Sequence, residues 1–246
     1  MTTLVNYAHR GASGSYPENT MIAFEQAIKL GATGIETDVQ MTKDGKLVLI
    51  HDEKLKRTTG VNSLVADVQS GDLLELDAGS WFSPSFKDER IPTLEQLLDL
   101  AKQTQTFINI ELKNGIVPYP GMEQKVIETV RAYGMEDQVI LSSFNHYSLI
   151  ECKRLAPDIP TGILYMEGLY RPWKYALSIG ATALHASHYA VLPDWVAEAA
   201  GHEVIYNVFT VNEPAEMIRL IQAGVAGIIT DYPDRLTAVL KSSNQA

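Results

Sequence analysis

A single cysteine, Cys152, stands among 246 residues, so no intrachain disulfide can form. It lies in Leu149-Ile150-Glu151-Cys152-Lys153, an amphipathic stretch where a small packing side chain is expected. Long apolar runs are missing as well. No segment approaches the roughly 18 residues that a membrane-spanning helix requires. Met1-Thr2-Thr3-Leu4-Val5-Asn6 has no basic stretch leading into an apolar core, so no secretory leader is expected and the cytoplasm is the expected compartment. Basic charge is also scarce, with 20 Lys and Arg against 30 Asp and Glu and a net charge of −10. That surface repels polyphosphate backbones and anionic lipid, which argues against nucleic acid and against stable membrane association. An anionic ligand would then need a local positive site: a metal ion, or a few well-placed Lys and Arg.

What is present is enough apolar content, 46% of residues, to bury one large core. Short β-rich runs alternate with segments of helical period throughout. Candidate strands are Leu4 to Ala8, Gly34 to Gln40, Phe107 to Glu111, Val139 to Ser142, Thr161 to Leu164, Ala183 to His185, Glu203 to Val208 and Gly227 to Thr230. Asn19 to Leu30 reads as a helix, with Asn19 placed to cap it and Gly31 to stop it. Further helices are expected to begin near Thr93, Gly121, His146, Pro172, Pro193, Glu213 and Pro233, proline being well suited to a first helical turn. Eight strands, each followed by a helix, predict an α/β fold: a (β/α)8 TIM barrel. A doubly wound sheet would want a Gly-rich phosphate loop after the first strand, and Arg10-Gly11-Ala12-Ser13-Gly14 fits neither known form.

One stretch breaks the rhythm. Asp44-Gly45 between two strand-like runs, the second being Leu47-Val48-Leu49-Ile50, predicts a hairpin. Asp52 to Pro92 has weak periodicity and reads as a small inserted subdomain after the second strand, at about residues 52–92 of one domain spanning 1–246. The C-terminal Ser242 to Ala246 is expected to fray.

In barrel enzymes the chemistry gathers at the carboxyl ends of the strands. Glu36 and Asp38 are two apart on one strand and so share a face, as do Glu111 and Lys113 on another. Ile35, Val39, Ile110 and Leu112 would pack outward against helices. Inward carboxylates are costly unless compensated. Three converging, Glu36, Asp38 and Glu111, suit one divalent cation with oxygen ligands, Mg²⁺ or Ca²⁺. The competing reading is a set of structural salt bridges with Arg10 and Lys113. The hairpin brings His51 level with Glu36 to Asp38, and His9 ends at the same rim. Two such imidazoles suit general acid and general base roles. Arg10 and Lys113 are the cations expected on phosphate oxygens.

These residues resemble the glycerophosphodiester phosphodiesterase family, of the bacterial cytosolic type, along nearly the whole chain. The resemblance rests on His9-Arg10-Gly11-Ala12-Ser13-Gly14, Pro17-Glu18-Asn19-Thr20, Glu36-Thr37-Asp38-Val39, Asp44-Gly45 and His51-Asp52. It continues through Arg57-Thr58-Thr59-Gly60, Ile91-Pro92-Thr93-Leu94, Ile110-Glu111-Leu112-Lys113, Thr210-Val211-Asn212 and Thr230-Asp231-Tyr232-Pro233. It implies conversion of a small-molecule glycerophosphodiester into glycerol 3-phosphate and an alcohol. It also implies metal ligation by Glu36, Asp38 and Glu111, acid–base work by His9 and His51, and phosphate contacts from Arg10 and Lys113. The reaction expected from it begins with attack by the substrate's own glycerol hydroxyl, followed by hydrolysis of a cyclic phosphate. Phe209 stands where members often carry Trp, which keeps a flat apolar wall but removes an N–H donor.

Trp81, Tyr165, His185 and Asn212 are further candidates for the pocket, and Asp231 for a supporting position. Two other readings stay open: a lysophospholipase D-like activity on lipid headgroups, and a non-catalytic barrel that binds phosphate esters. The sequence leaves the oligomeric state open, a homo-oligomer included.

Overall fold

A computed structural model describes residues 4–243. Among them nine strands form: β1 (Val5–His9), β2 (Gly34–Met41), β3 (Leu47–Leu49), β4 (Phe107–Leu112), β5 (Val139–Ser143), β6 (Thr161–Tyr165), β7 (Ala183–Ser187), β8 (Ile205–Phe209) and β9 (Gly227–Thr230). Eight run parallel in one continuous order, and β1 pairs with both β9 and β2 to close the ring. The ninth, β3, is the antiparallel hairpin partner of β2, with Val39 opposite Leu49. Helices follow each of the eight barrel strands: Met21–Lys29, Leu94–Thr104, Met122–Tyr133, His146–Leu155, Pro172–Ser178, Pro193–Ala200, Pro214–Ala223 and Pro233–Ser243. The chain folds as a (β/α)8 barrel with a small insertion after the β2–β3 hairpin.

Alternation along each strand sorts the two faces of the barrel wall. Ile35, Val39, Ile108, Ile110, Leu112 and Leu141 point outward and are almost wholly buried against the helices. Burying each such side chain contributes about 1.5–3 kcal/mol, so this layer holds the helices to the wall. Ile163, Leu184, Tyr206, Val208 and Ile228 do the same on the other half of the ring. Where β1 meets its helix the contact is made by Ala8, Ala12, Ala27 and Ala32 instead. Gly11 permits that close approach: its φ is +83°, and a Cβ there would fall 2.7 Å from the Ala23 carbonyl carbon.

Three local expectations are corrected. The helix after β1 is capped by Thr20, whose hydroxyl accepts from Ala23 N–H, and Asn19 lies outside it with φ +52°. The β8 strand begins at Ile205 because Glu203 adopts φ +61° in the preceding turn. The last helix continues through Ser242 and Ser243, so this part of the expected tail is helical, while Asn244 to Ala246 lie outside the described residues.

The segment after β3 folds into short helical turns, Lys56–Thr59, Val65–Asp67, Ser70–Leu73 and Pro84–Phe86. Leu55, Val65, Leu73, Ala78 and Ile91 bury themselves with Val48 and Ile50 of the hairpin, giving it a small core of its own. Its weak sequence periodicity follows from turns too short to repeat a face.

Candidate active site

A cavity of about 230 Å³ opens at the carboxyl ends of the strands. His9, Arg10, Glu36, His51, Asn109, Glu111 and Lys113 line it on the β1–β4 side. Phe144, Leu164, Phe209, Thr210 and Ile229 line it from the opposite staves. The division is chemical: charged and imidazole groups face an apolar wall in which the Phe144 and Phe209 rings meet edge to face, 6.2 Å apart.

Strand register assembles the acids. Glu36 lies beside His9 on one side, and Asp38 lies beside Glu111 on the other. Carboxylate oxygens of Glu36, Asp38 and Glu111 come within 4.8 Å of one another, and all three residues are buried. Two cations answer them. Arg10 Nε is 3.2 Å from Asp38 Oδ2, and Lys113 Nζ is 3.0 Å from Glu111 Oε1 and 3.9 Å from Asp38 Oδ1. Burial opposes ionisation of Asp38, yet Arg10, His51, Lys113 and a hydrogen bond from Asn19 hold its carboxyl below the usual range. Glu36 goes the other way, pushed well up by burial, Asp38 and Glu111. Glu111 is pushed up to about 7, by burial first and then by Asp38, with Lys113 opposing.

A divalent cation fits this cradle. Asp38 Oδ1 is buried with no hydrogen-bond partner, a costly arrangement for a carboxylate oxygen unless something else binds it. Three acids against two protein cations leave negative charge uncompensated, and an all-oxygen donor set suits a hard divalent ion.

Both histidines are held in the same manner. His9 Nδ1 lies 2.6 Å from Asp231 Oδ1, and His51 Nδ1 lies 2.7 Å from Asp52 Oδ1. An ionised carboxylate only accepts, so each Nδ1 carries the proton and donates it, leaving Nε2 for other work. Nε2 of His9 is 4.0 Å from Glu36 Oε2, at the edge of the acid cradle. Asp231 is fixed in turn by Asn212 Nδ2 at 2.6 Å and Ser13 Oγ at 2.9 Å. Burial works against its ionisation, but these donors and His9 hold Asp231 down at about 2. Asp52 is likewise held at about 2, first by its hydrogen bonds from Arg57.

Some candidates sit elsewhere. Tyr165 faces outward on β6 and packs with Trp173 between wall and helices, because the inward positions of that strand are Gly162 and Leu164. His185 points inward but lies below the cavity, fully buried, where Asn207 Nδ2 reaches its Nε2 at 3.0 Å. Burial pushes that imidazole down to about 3, so it is neutral. Gly162 gives it room: a Cβ there would fall 2.5 Å from its Nε2. Trp81 does not line the cavity; its ring sits 5.5 Å from the Arg57 guanidinium. Asn212 borders a neighbouring cavity of about 580 Å³ and acts on the site through Asp231.

Other residues take up site positions that the sequence reading did not assign to them. Asn19 donates to Asp38 Oδ2 at 2.9 Å and accepts from Thr37 Oγ1 at 2.7 Å. Phe144 and Asn109 join the cavity wall, and Glu18 and Arg57 join the charged groups behind it. Asn109 was legible in principle, being two residues before Glu111 on the same face.

Residues 9–235 match the sequence model of the glycerophosphoryl diester phosphodiesterase family. A glycerophosphodiester phosphodiesterase of Caldanaerobacter subterraneus subsp. tengcongensis is 46% identical over 241 residues, covering 98% of this chain and 99% of its own. One from Bacillus altitudinis is 43% identical over 236 residues, covering 95% of this chain and 96% of its own. Among solved structures, an Oleispira antarctica phosphodiesterase in complex with the product sn-glycerol-3-phosphate superposes with a TM-score of 0.88 at 28% identity, covering 96% of each chain. A glycerophosphodiester phosphodiesterase from Agrobacterium tumefaciens gives a TM-score of 0.85 at 28% identity, covering 97% of this chain and all of its own.

Proposed function

The chain belongs to the glycerophosphoryl diester phosphodiesterase family and is an enzyme of that class; from this premise we propose how its site works. The reaction is hydrolysis of a small-molecule glycerophosphodiester to glycerol 3-phosphate and an alcohol. Two imidazoles, each held at Nδ1 by an aspartate, flank three buried carboxylates whose oxygens lie within 4.8 Å of one another. That juxtaposition carries the reading.

His9 and His51 move the protons. One takes a proton at Nε2 from the substrate's glycerol hydroxyl as it attacks phosphorus, and the other gives one to the oxygen of the departing alcohol. Water then opens the cyclic phosphate with the two roles exchanged, which restores both imidazoles. Each gains from its aspartate, which orients the ring and stabilises the imidazolium when it forms. Arg10 and Lys113 face the cavity and bind the phosphate oxygens, offsetting negative charge as it grows on them. Phe144 and Phe209 supply the apolar wall for the carbon skeleton of the substrate. Glu36, Asp38 and Glu111 would hold one divalent cation, Mg²⁺ or Ca²⁺, which would supply Lewis-acid stabilisation of charge on the phosphoryl group.

Incubating the purified protein with glycerophosphocholine, with and without chelator, and assaying glycerol 3-phosphate tests both halves of this reading. Product should form, stop on chelation and return on adding Mg²⁺ or Ca²⁺. Equal product with chelator present would remove the cation from the mechanism, and no product under any condition would remove the substrate class.

A further inference from the structure

We infer that Arg57, carried on the insertion, is a positioning residue that holds His51 and Arg10 in their working places. The inference rests on the acid–base role of His51 and the phosphate role of Arg10 proposed above.

The guanidinium of Arg57 uses both of its edges. On one, Nε donates to Asp52 Oδ2 at 2.7 Å and Nη2 to Asp52 Oδ1 at 3.0 Å. On the other, Nη1 donates to Glu18 Oε2 at 2.8 Å and Nη2 to Glu18 Oε1 at 2.7 Å. Asp52 Oδ1 also accepts from His51 Nδ1, and Glu18 Oε1 also accepts from Arg10 Nη1 at 2.9 Å. A continuous chain therefore runs His51–Asp52–Arg57–Glu18–Arg10, from an imidazole of the cavity to a guanidinium of the cavity. Arg57 is its middle member and lines no part of the cavity itself.

The insertion anchors that middle member. Arg57 sits in the helical turn Lys56–Thr59, between Leu55, which is fully buried in the small core, and Thr58, which is nearly so. Thr59 Oγ1 donates back to Leu55 O, and Gly60, with φ +78°, ends the turn. The Trp81 ring lies against the guanidinium, with its own Nε1 donating to Ala78 O at 2.9 Å. A lone exposed ion pair contributes little. Two planar forks on one guanidinium, shared with two residues of the cavity, fix direction as well as charge, and lysine cannot reproduce them.

The experiment compares Arg57→Gln, Arg57→Lys, Asp52→Asn, the Arg57→Gln/Asp52→Asn double variant and His51→Ala, all as full chains with the cation present. Arg57→Gln should lose about 30-fold in kcat, since a displacement of about 1 Å at a catalytic group can cost about a hundredfold. Arg57→Lys should recover less than a third of that loss on a logarithmic scale, with a thermal midpoint near that of the parent. The double variant should fall clearly short of the product of the two single losses, because the part of the Arg57 effect that reaches His51 passes through Asp52, while the arm to Arg10 passes through Glu18. In proton NMR, the downfield Nδ1–H signal of His51 should be lost in Arg57→Gln while that of His9, held by Asp231, persists. Arg57→Gln within threefold of the parent beside an inactive His51→Ala would overturn this inference alone, as would losses that multiply in the double variant. A fully active His51→Ala would overturn the acid–base reading and this inference with it.

Discussion

Asp231 and Asp52 each occupy the Nδ1 of a histidine, yet their surroundings differ. Asp231 is held by the neutral donors Asn212 and Ser13, whereas Asp52 is held by the Arg57 cation. In the proposed mechanism, removing either imidazole removes a proton carrier. His9→Ala and His51→Ala are each expected to lower kcat by about two to four orders of magnitude, measured as glycerol 3-phosphate release under saturating cation. A loss below tenfold would dismiss that histidine from acid–base work. Asp231→Asn keeps the shape but turns an acceptor-only group into one that also donates, so the favoured His9 tautomer is no longer enforced. The expected result is a kcat drop of roughly tenfold or more with cation affinity unchanged. A variant as fast as the parent would leave Asp231 a structural role only.

At the scale of elements, two strands and a hairpin do most of the positioning. The parallel pairing of β2 with β4 sets Asp38 beside Glu111, and the return of β3 sets Ile50 N–H against Asp38 O, so the next residue, His51, arrives at the rim. Helix Leu94–Thr104, which ends the excursion after the hairpin, begins with a reciprocal cap. Thr93 Oγ1 accepts from Gln96 N–H at 3.4 Å, and Gln96 Oε1 accepts from Thr93 N–H at 2.8 Å. Thr93→Ala should cost about 1 kcal/mol, which for a chain this long is a midpoint lower by about 2–4 °C in thermal unfolding. Activity at low temperature should not change, since the cap touches nothing in the cavity. A midpoint shift indistinguishable from zero would mean the cap contributes nothing that water does not supply.

The whole molecule carries its charge unevenly: a net −10 overall, with three acids converging in one buried place. Glu111 is pushed up to about 7 from an ordinary 4.5, and Glu36 is also raised. A carboxyl whose folded pKa lies above its unfolded one is destabilising once ionised. Cation-free protein should therefore lose stability as pH rises from about 4.5 through about 7, the window set by Glu111. A divalent cation bound there would have to displace those protons, so its apparent affinity should climb as pH rises through that range. Midpoints recorded with chelator at pH 5.5 and 8, then with excess Mg²⁺ or Ca²⁺, check both signs. A cation-induced rise in midpoint that is as large at pH 5.5 as at pH 8 would contradict the coupling.

The sequence by itself determined that eight strands alternate with eight helices, because short β-rich runs alternate with longer segments of helical period along the chain. It likewise placed Glu36 with Asp38 on one face of β2 and Glu111 with Lys113 on one face of the strand segment at β4, since a spacing of two leaves no other choice, with apolar neighbours taking the opposite face. Tertiary structure decided what lies outside that rule. Asn19 left the helix to reach Asp38, Tyr165 fell on the outward face of β6, and His185 sank below the cavity. Arg57 reached the site from an insertion whose short turns repeat no pattern. Local order is written in nearest-neighbour spacing, whereas contacts between Glu18 and Arg57, or between His9 and Asp231, depend on how the ring closes and where its loops are brought together.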